Sequence, residues 1–428
     1  MATTTGRHLP HLLVRRRKAL VKTGGLAALL AVIGPGVLAG LSDDDPAGIA
    51  TYSVLGAEYG YEMIWVLTVS TAALIVFHLI AARMGVVTGK GLLTILHERY
   101  GRRATLTVTP ALIAANFGTL CAEFAGVAAA LDLLAGVSKG VSVPASATLI
   151  ALLVLRGSFR YVEHVLLILA TVFVTYVAAG ILSHPDWGAA FRGAVVPQMP
   201  LTRDAMLIAV ATIGTTLAPW GLVFIQSYAA NKRIALRDLR YENIDVITGA
   251  VLTGVIGFFV VVACAATLHV TGVSIESARD AAAALAPVAG ESAALLFGIG
   301  MLGAALLGAA IVPLSSAYSV AEATGEPADV NDSFSQAREF YLAFLLMIVG
   351  ASLVVLIPGA PLIKILVISQ AINAVLLLPI LPFLWHAAAQ REVMGDYAIG
   401  RRQQLAAGAA MALVLASVAA LGYLTILS

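Results

Sequence analysis

The sequence predicts an all-α integral membrane protein of about eleven transmembrane helices, and three observations predict it. Hydrophobic residues make up 60% of the 428-residue chain and charged residues only 12%, about half the charged share of an average soluble domain, and the mean hydropathy is +0.94. Apolar runs long enough to cross a hydrocarbon core of ~30 Å recur from start to end. Lys and Arg fall on alternate connections between those runs, as the positive-inside rule requires.

The runs lie near 26–54, 62–83, 105–135, 141–156, 162–182, 204–230, 244–271, 292–319, 338–357, 362–387 and 403–427. One side of the membrane collects Arg15, Arg16, Arg17, Lys18 and Lys22, then Arg83, Lys90, Arg99, Arg102 and Arg103, then Arg156 and Arg160. It continues with Lys232, Arg233, Arg237 and Arg240, and with Arg391, Arg401 and Arg402. The other side holds little beyond Lys139, Arg192, Arg203 and Arg279. The N-terminus is therefore expected in the cytoplasm and the C-terminus outside a cell membrane. The 322–339 connection, with Glu322, Glu326, Asp329 and Asp332, is acidic on the basic side, but acids weigh little in that rule.

Residues 1–22 read as a basic cytoplasmic tail and 23–428 as one membrane domain. No A-x-A-like cleavage site follows the apolar stretch past Leu26, so no removable signal is expected. Cys121 and Cys264 sit in separate apolar runs without CxxC spacing and suggest neither a disulfide nor a thiolate metal site. No P-loop or nucleotide motif appears. The expectation is a protein that is not an enzyme, holds no organic cofactor and meets no nucleic acid; its partners are the lipid bilayer and a transported ion. Sequence leaves the oligomeric state open, and a monomer is compatible with it.

The first crossing contains IGPGVLAGLSDDDPAGIATYS, with Asp43, Asp44, Asp45 and Pro46 near its middle. One carboxylate at the bilayer centre costs roughly 2.5–3.5 kcal/mol on insertion scales, so three together must line water or bind a cation. Pro46 lacks an amide hydrogen, and Gly40 and Gly48 flank it with little helix propensity, which predicts a broken helix with free carbonyls. The sixth crossing, IGTTLAPWGLVFIQSY, is interrupted again at Pro219 and Gly221, beside Thr215 and Thr216. A lone proline in a membrane helix is usually a structural kink. Paired broken segments at matching places in two halves instead point to an inverted-repeat transporter with its site at midplane. The repeats would be about 26–182 and 204–387, with 403–427 peripheral. Unwound carbonyls plus a carboxylate are hard ligands for a hard cation.

Several segments, in order and spacing, resemble the natural resistance-associated macrophage protein (Nramp) family. They are IGPG before the break, Asp45-Pro46, GAEYGYEMIW at 56–65, AARMGVVTGKGL at 81–92 and AEFAG around Glu123. Further on come the Thr215 to Pro219 break, PLSSAYSVAEATG at 313–325 and ISQAIN at 368–373. The resemblance implies a LeuT-like fold of five-plus-five inverted repeats with helices 1 and 6 broken, and transport of divalent metals. It places the metal site at Asp45, Gly48, Ser42, Asp44, Thr215, Ala218, Glu123, Gln370 and Asn373. Glu123 reads equally as a structural partner or a vestibule residue, and Gln370 and Asn373 equally as site residues or as amides bonding between helices.

Departures from the family pattern carry the substrate argument. The family's Asp-Pro-Gly-Asn is here Asp45-Pro46-Ala47-Gly48, and its Met-Pro-His is Ala218-Pro219-Trp220. Loss of the thioether removes the preference for soft transition metals. The pattern is similar to the Nramp-related magnesium transporters, which implies Mg²⁺, with Mn²⁺ as a second ion. The family's Asp before the third-segment Glu, and its sixth-segment His, are replaced by Leu120 and Trp220, which implies transport without proton coupling. Glu123 or His78 is left as the remaining titratable group, although a histidine on an apolar helix is usually a hydrogen-bonded packing residue. The alternatives are a proton-coupled Mn²⁺/Fe²⁺ importer and, in a different class, an ion sensor on the same kind of domain, against which the lack of a soluble output domain argues. An amino-acid carrier is disfavoured because the acids would repel a substrate carboxylate.

Overall fold

The computed structural model describes residues 44–155, 171–231, 234, 236–324 and 337–427, and its regular structure is entirely helical. The helices are α1 (Pro46–Tyr59), α2 (Ile64–Thr88), α3 (Leu92–Ala135), α4 (Lys139–Leu155), α5 (Thr175–Leu182), α6 (Trp187–Val195) and α7 (Arg203–Thr216). After them come α8 (Pro219–Asn231), α9 (Leu239–Cys264), α10 (Ala293–Thr324), α11 (Arg338–Leu356), α12 (Leu362–Leu377), α13 (Leu381–Ala389) and α14 (Arg401–Leu427). Among the described residues seven helical segments are long and apolar enough to cross a membrane, or eight if α12 and α13 count as one bent span. The first half of the first predicted crossing and the start of the fifth lie outside the described residues.

Two boundaries differ from the sequence reading. The third crossing, expected from 105, begins as helix at Leu92, because Leu92, Leu93, Ile95 and Leu96 bury an apolar face ahead of the span. That lead-in turns into the span at Gly101, whose φ of 76° only glycine adopts readily. The tenth crossing is bent by 41° between α12 and α13, where Pro379 and Pro382 interrupt the hydrogen-bond ladder. A single π-helical turn, Ala265–His269, closes α9.

Of the connections read as basic, those around 83–103 and 390–403 meet at one end of the molecule. There Lys90 pairs with Glu98, Arg99 pairs with Glu392 and donates to Gln390 Oε1 at 2.8 Å, and Arg83 donates to Gln403 Oε1 at 2.9 Å. At the opposite end Lys139 Nζ donates to the carbonyls of Val355 and Ile357, and Trp65 Nε1 to that of Gln198. Helix α3 is buried along most of its length against α10 and α12, whereas α14 buries only Ala407 and Val414 fully. The ion-site candidates therefore lie on interior elements.

Candidate cation site

Helix α1 starts where the sequence predicts the break. Pro46 occupies the first helical position, where its fixed φ suits the turn and its missing N–H is no loss. Asp45 precedes it in extended conformation (φ −75°, ψ 169°), and its Oδ1 accepts the Gly48 N–H at 2.5 Å. The carboxylate thus sits at the positive end of a helix dipole, which favours its charge. Asp44 is buried beside it in the chain. Ser42 and Asp43 lie outside the described residues.

Glu123 comes from α3 and stands close enough to Asp45 for the two carboxyl groups to interact. Two glycines make this approach. A Cβ on Gly126 would lie 2.6 Å from Pro46 Cβ, so α3 meets the first turn of α1 at a site that admits no side chain. A Cβ on Gly308 of α10 would lie 2.3 Å from Glu123 Oε1, so the Glu123 carboxyl rests on bare backbone. Glu123 Oε2 has no hydrogen-bond partner among the described residues. Two buried carboxyls in one low-dielectric space repel when both are ionised, and a cation between them removes that cost.

The second break is uncharged. Helix α7 ends at Thr216, Leu217 and Ala218 are non-helical, and α8 starts at Pro219. Proline has no N–H to return to the carbonyl four residues back, which here is that of Thr215. Thr215 Oγ1 is buried and without a partner among the described residues. Its neighbour Thr216 is occupied structurally: its hydroxyl donates to Thr212 O and lies 3.0 Å from the Tyr52 hydroxyl of α1. Gly48 and the Ala218 methyl offer no side-chain donor atom.

Helix α12 reaches the same region by backbone contact, since a Cβ on Gly214 would lie 1.8 Å from the Gln370 carbonyl oxygen. Asn373 Nδ2 donates to Gln370 Oε1 and to Thr119 Oγ1 of α3, both at 2.9 Å. Its amide nitrogen therefore bonds between helices and orients Gln370, while Asn373 Oδ1 stays without a partner among the described residues. Leu120 and Trp220 are both buried, the latter with its ring against Phe224. His78 is buried on α2, and its Nε2 has no hydrogen-bond partner among the described residues.

Sequence reasoning missed a polar stripe on α3. Asn116, Thr119 and Glu123 are spaced by three and four residues, so they share one helical face. Asn116 Nδ2 donates to Ser316 Oγ of α10 at 2.9 Å, and Asn116 Oδ1 and Ser315 Oγ lack partners among the described residues. The spacing of Asn116, Thr119 and Glu123, with the SS pair of PLSSAYS, was the available signal.

Residues 36–424 match the family model described as "Natural resistance-associated macrophage protein-like". The chain is 29% identical over 402 residues to the divalent metal cation transporter MntH of Burkholderia ambifaria, covering 91% of this chain and 88% of that one. Among solved structures, the Eremococcus coleocola manganese transporter superposes with a TM-score of 0.72 at 20% identity, covering 92% of this chain and 87% of that one. The nucleobase-cation-symport-1 transporter Mhp1 superposes with a TM-score of 0.55 at 13% identity, covering 92% of each chain. These structural likenesses show the fold, the LeuT-like arrangement of broken helices that the sequence predicts.

Proposed function

Because this chain belongs to the natural resistance-associated macrophage protein-like family, we propose that it carries divalent metal cations across a membrane, Mg²⁺ foremost and Mn²⁺ as well, by alternating access and without moving protons. Asp45 supplies the anionic ligand and the Thr215 carbonyl a neutral one, with Gln370 held nearby by Asn373. Asp44, Gly48, Ala218 and Ser42 shape the approach.

One observation carries the choice of ion. Where the family pattern has an amide and a thioether, this chain has Gly48 and Ala218, while buried oxygens of Thr215, Glu123 and Asn373 stand without hydrogen-bond partners among the described residues. Mg²⁺ sheds water reluctantly and usually keeps several waters. A hydrated ion presents only O–H donors outwards, so it needs acceptors and small neighbouring side chains, a need that the unpartnered oxygens and Gly48 and Ala218 fit. A dehydrated soft ion needs ligands such as a thioether, which this site lacks. Leu120 and Trp220 at the relay positions support uncoupled transport, since neither side chain takes up or releases a proton at working pH.

The second reading, a proton-coupled importer of Mn²⁺ or Fe²⁺, is favoured by Glu123 standing beside Asp45 and by the transporter relatives, one of them named for manganese. Uptake of Mg²⁺, Mn²⁺ and Ca²⁺ into proteoliposomes, with internal pH followed by a trapped dye, separates the two. Mg²⁺ entry at constant internal pH supports the first reading. Acidification that depends on Mn²⁺, with no Mg²⁺ entry, supports the second.

A further inference from the structure

In the sequence Glu322 is one acid of an acidic connection. In the structure it belongs to the last turn of α10 at the basic end, and its carboxylate holds three elements together. Its Oε2 accepts the Leu93 N–H in the first turn of α3 at 3.2 Å, and its Oε1 accepts the hydroxyl of Ser227 on α8 at 3.0 Å. The N-cap residue of α3 is Gly91, which has no side chain to cap the helix, and a Cβ there would lie 1.9 Å from Glu322 Oε1. Glu322 thus caps α3 from another helix, and only glycine at 91 leaves it room. One residue before Ser227, Gln226 Nε2 donates to Lys90 O at 3.2 Å. The Lys90 ammonium is directed to Glu98 instead, and no Lys or Arg pairs with Glu322 among the described residues.

The partners of Glu322 differ in mechanical character. Helices α3 and α10 pack together along their length, through Glu123 on Gly308, Asn116 on Ser316, and Glu322 on Leu93. Helix α8 is a half-helix. At one end it joins α7 through the non-helical Leu217 and Ala218 at the candidate ion site, and at the other it is tied down by Gln226 and Ser227.

We propose that Glu322 is a positioning residue of the transport cycle: it latches the far end of α8 to the α3–α10 framework through Ser227, and that contact breaks whenever the site opens toward the basic end. A carboxylate held by backbone amides and one hydroxyl, all neutral, exchanges readily with water, which suits a contact remade in every cycle. A buried ion pair would cost far more to break, because it leaves an uncompensated charge. The inference rests on the transport reading above for its cycle, but the latch is a separate claim.

The test links the two sides of the latch. In a Cys121→Ala, Cys264→Ser background, Ser227→Cys and Glu322→Cys are combined and bridged with a short bifunctional thiosulfonate, and Mg²⁺ and Mn²⁺ uptake is measured before bridging, after it and after reduction. Uptake should fall to background on bridging and return on reduction, with each single variant insensitive to the reagent. Uptake that continues at the unbridged rate in fully bridged protein overturns the proposal, because a static contact tolerates a bridge. Should the double variant fail to fold, Ser227→Ala is the second arm, since it leaves the cap on α3 intact. It should raise maleimide labelling from the basic side of a cysteine introduced by Ala230→Cys, near the end of α8, several-fold. An unchanged labelling rate overturns the latch. If no divalent cation is carried at all yet labelling still responds to Ser227→Ala, the latch stands and the cargo assignment falls.

Discussion

The start of α1 at Asp45–Pro46 and the break between α7 and α8 are both buried, yet their surroundings differ. At the first, Asp45 caps the helix it interrupts and Glu123 reaches in from α3 over Gly308. At the second, α7 brings the hydroxyls of Thr215 and Thr216, and Thr216 is already engaged with Tyr52 and Thr212. Charge is concentrated at the first break, and the second offers only neutral side chains. The charge that attracts a divalent ion thus sits at one break while the small side chains, Gly48 and Ala218, stand one at each, so attraction and choice among ions should be separable by mutation.

The largest effect is expected from removing the charge while keeping the break. Asn caps a helix about as well as Asp, so Asp45→Asn should leave the fold and the Gly48 hydrogen bond in place and reduce divalent uptake to background. A thermally stable Asp45→Asn protein that transports normally would mean that the charged break is not the binding element. Next come the glycines that admit Glu123. Gly308→Ala pushes on the Glu123 carboxyl and Gly126→Ala on Pro46, each expected to cost about 1–3 kcal/mol of stability by overpacking. Uptake should fall further in Gly308→Ala than the loss of folded protein explains, which parallel melting curves and flux assays would show. The smallest effect belongs to the uncharged break: Thr216→Val removes the Tyr52 contact and should cost about 1 kcal/mol, with ion preference unchanged in a Mg²⁺ against Mn²⁺ uptake assay.

The asymmetry between the breaks was partly legible in the sequence. DDDP and LAPWG announce both interruptions, because proline and glycine act locally and a carboxylate in an apolar run has few explanations. The neighbours of each break were not legible. That Gly308 seats Glu123, that Gly214 brings Gln370 to α7, and that Gly91 admits Glu322 all depend on helices far apart in sequence meeting at a missing Cβ. A glycine in an apolar run carries no sign of which partner it faces. Asn373 shows the same limit: its amide in ISQAIN fits either role, and only the structure joins it to Thr119 and Gln370. The acidic 322–339 connection misplaced Glu322 for a related reason, since capping of α3 by a distant helix leaves no local pattern.

The proposed function has small side chains at Gly48 and Ala218 making room for a hydrated Mg²⁺ beside Asp45. Its most direct measurement is the inhibition of Mn²⁺ uptake by Mg²⁺ in wild type and in the Gly48→Asn, Ala218→Met double variant. In wild type, millimolar Mg²⁺ should suppress Mn²⁺ uptake and itself be carried. In the double variant, the restored ligands should shift preference toward Mn²⁺ by about tenfold, or roughly 1.4 kcal/mol. Wild-type Mn²⁺ uptake that is indifferent to millimolar Mg²⁺, with no Mg²⁺ entering, would contradict the claim.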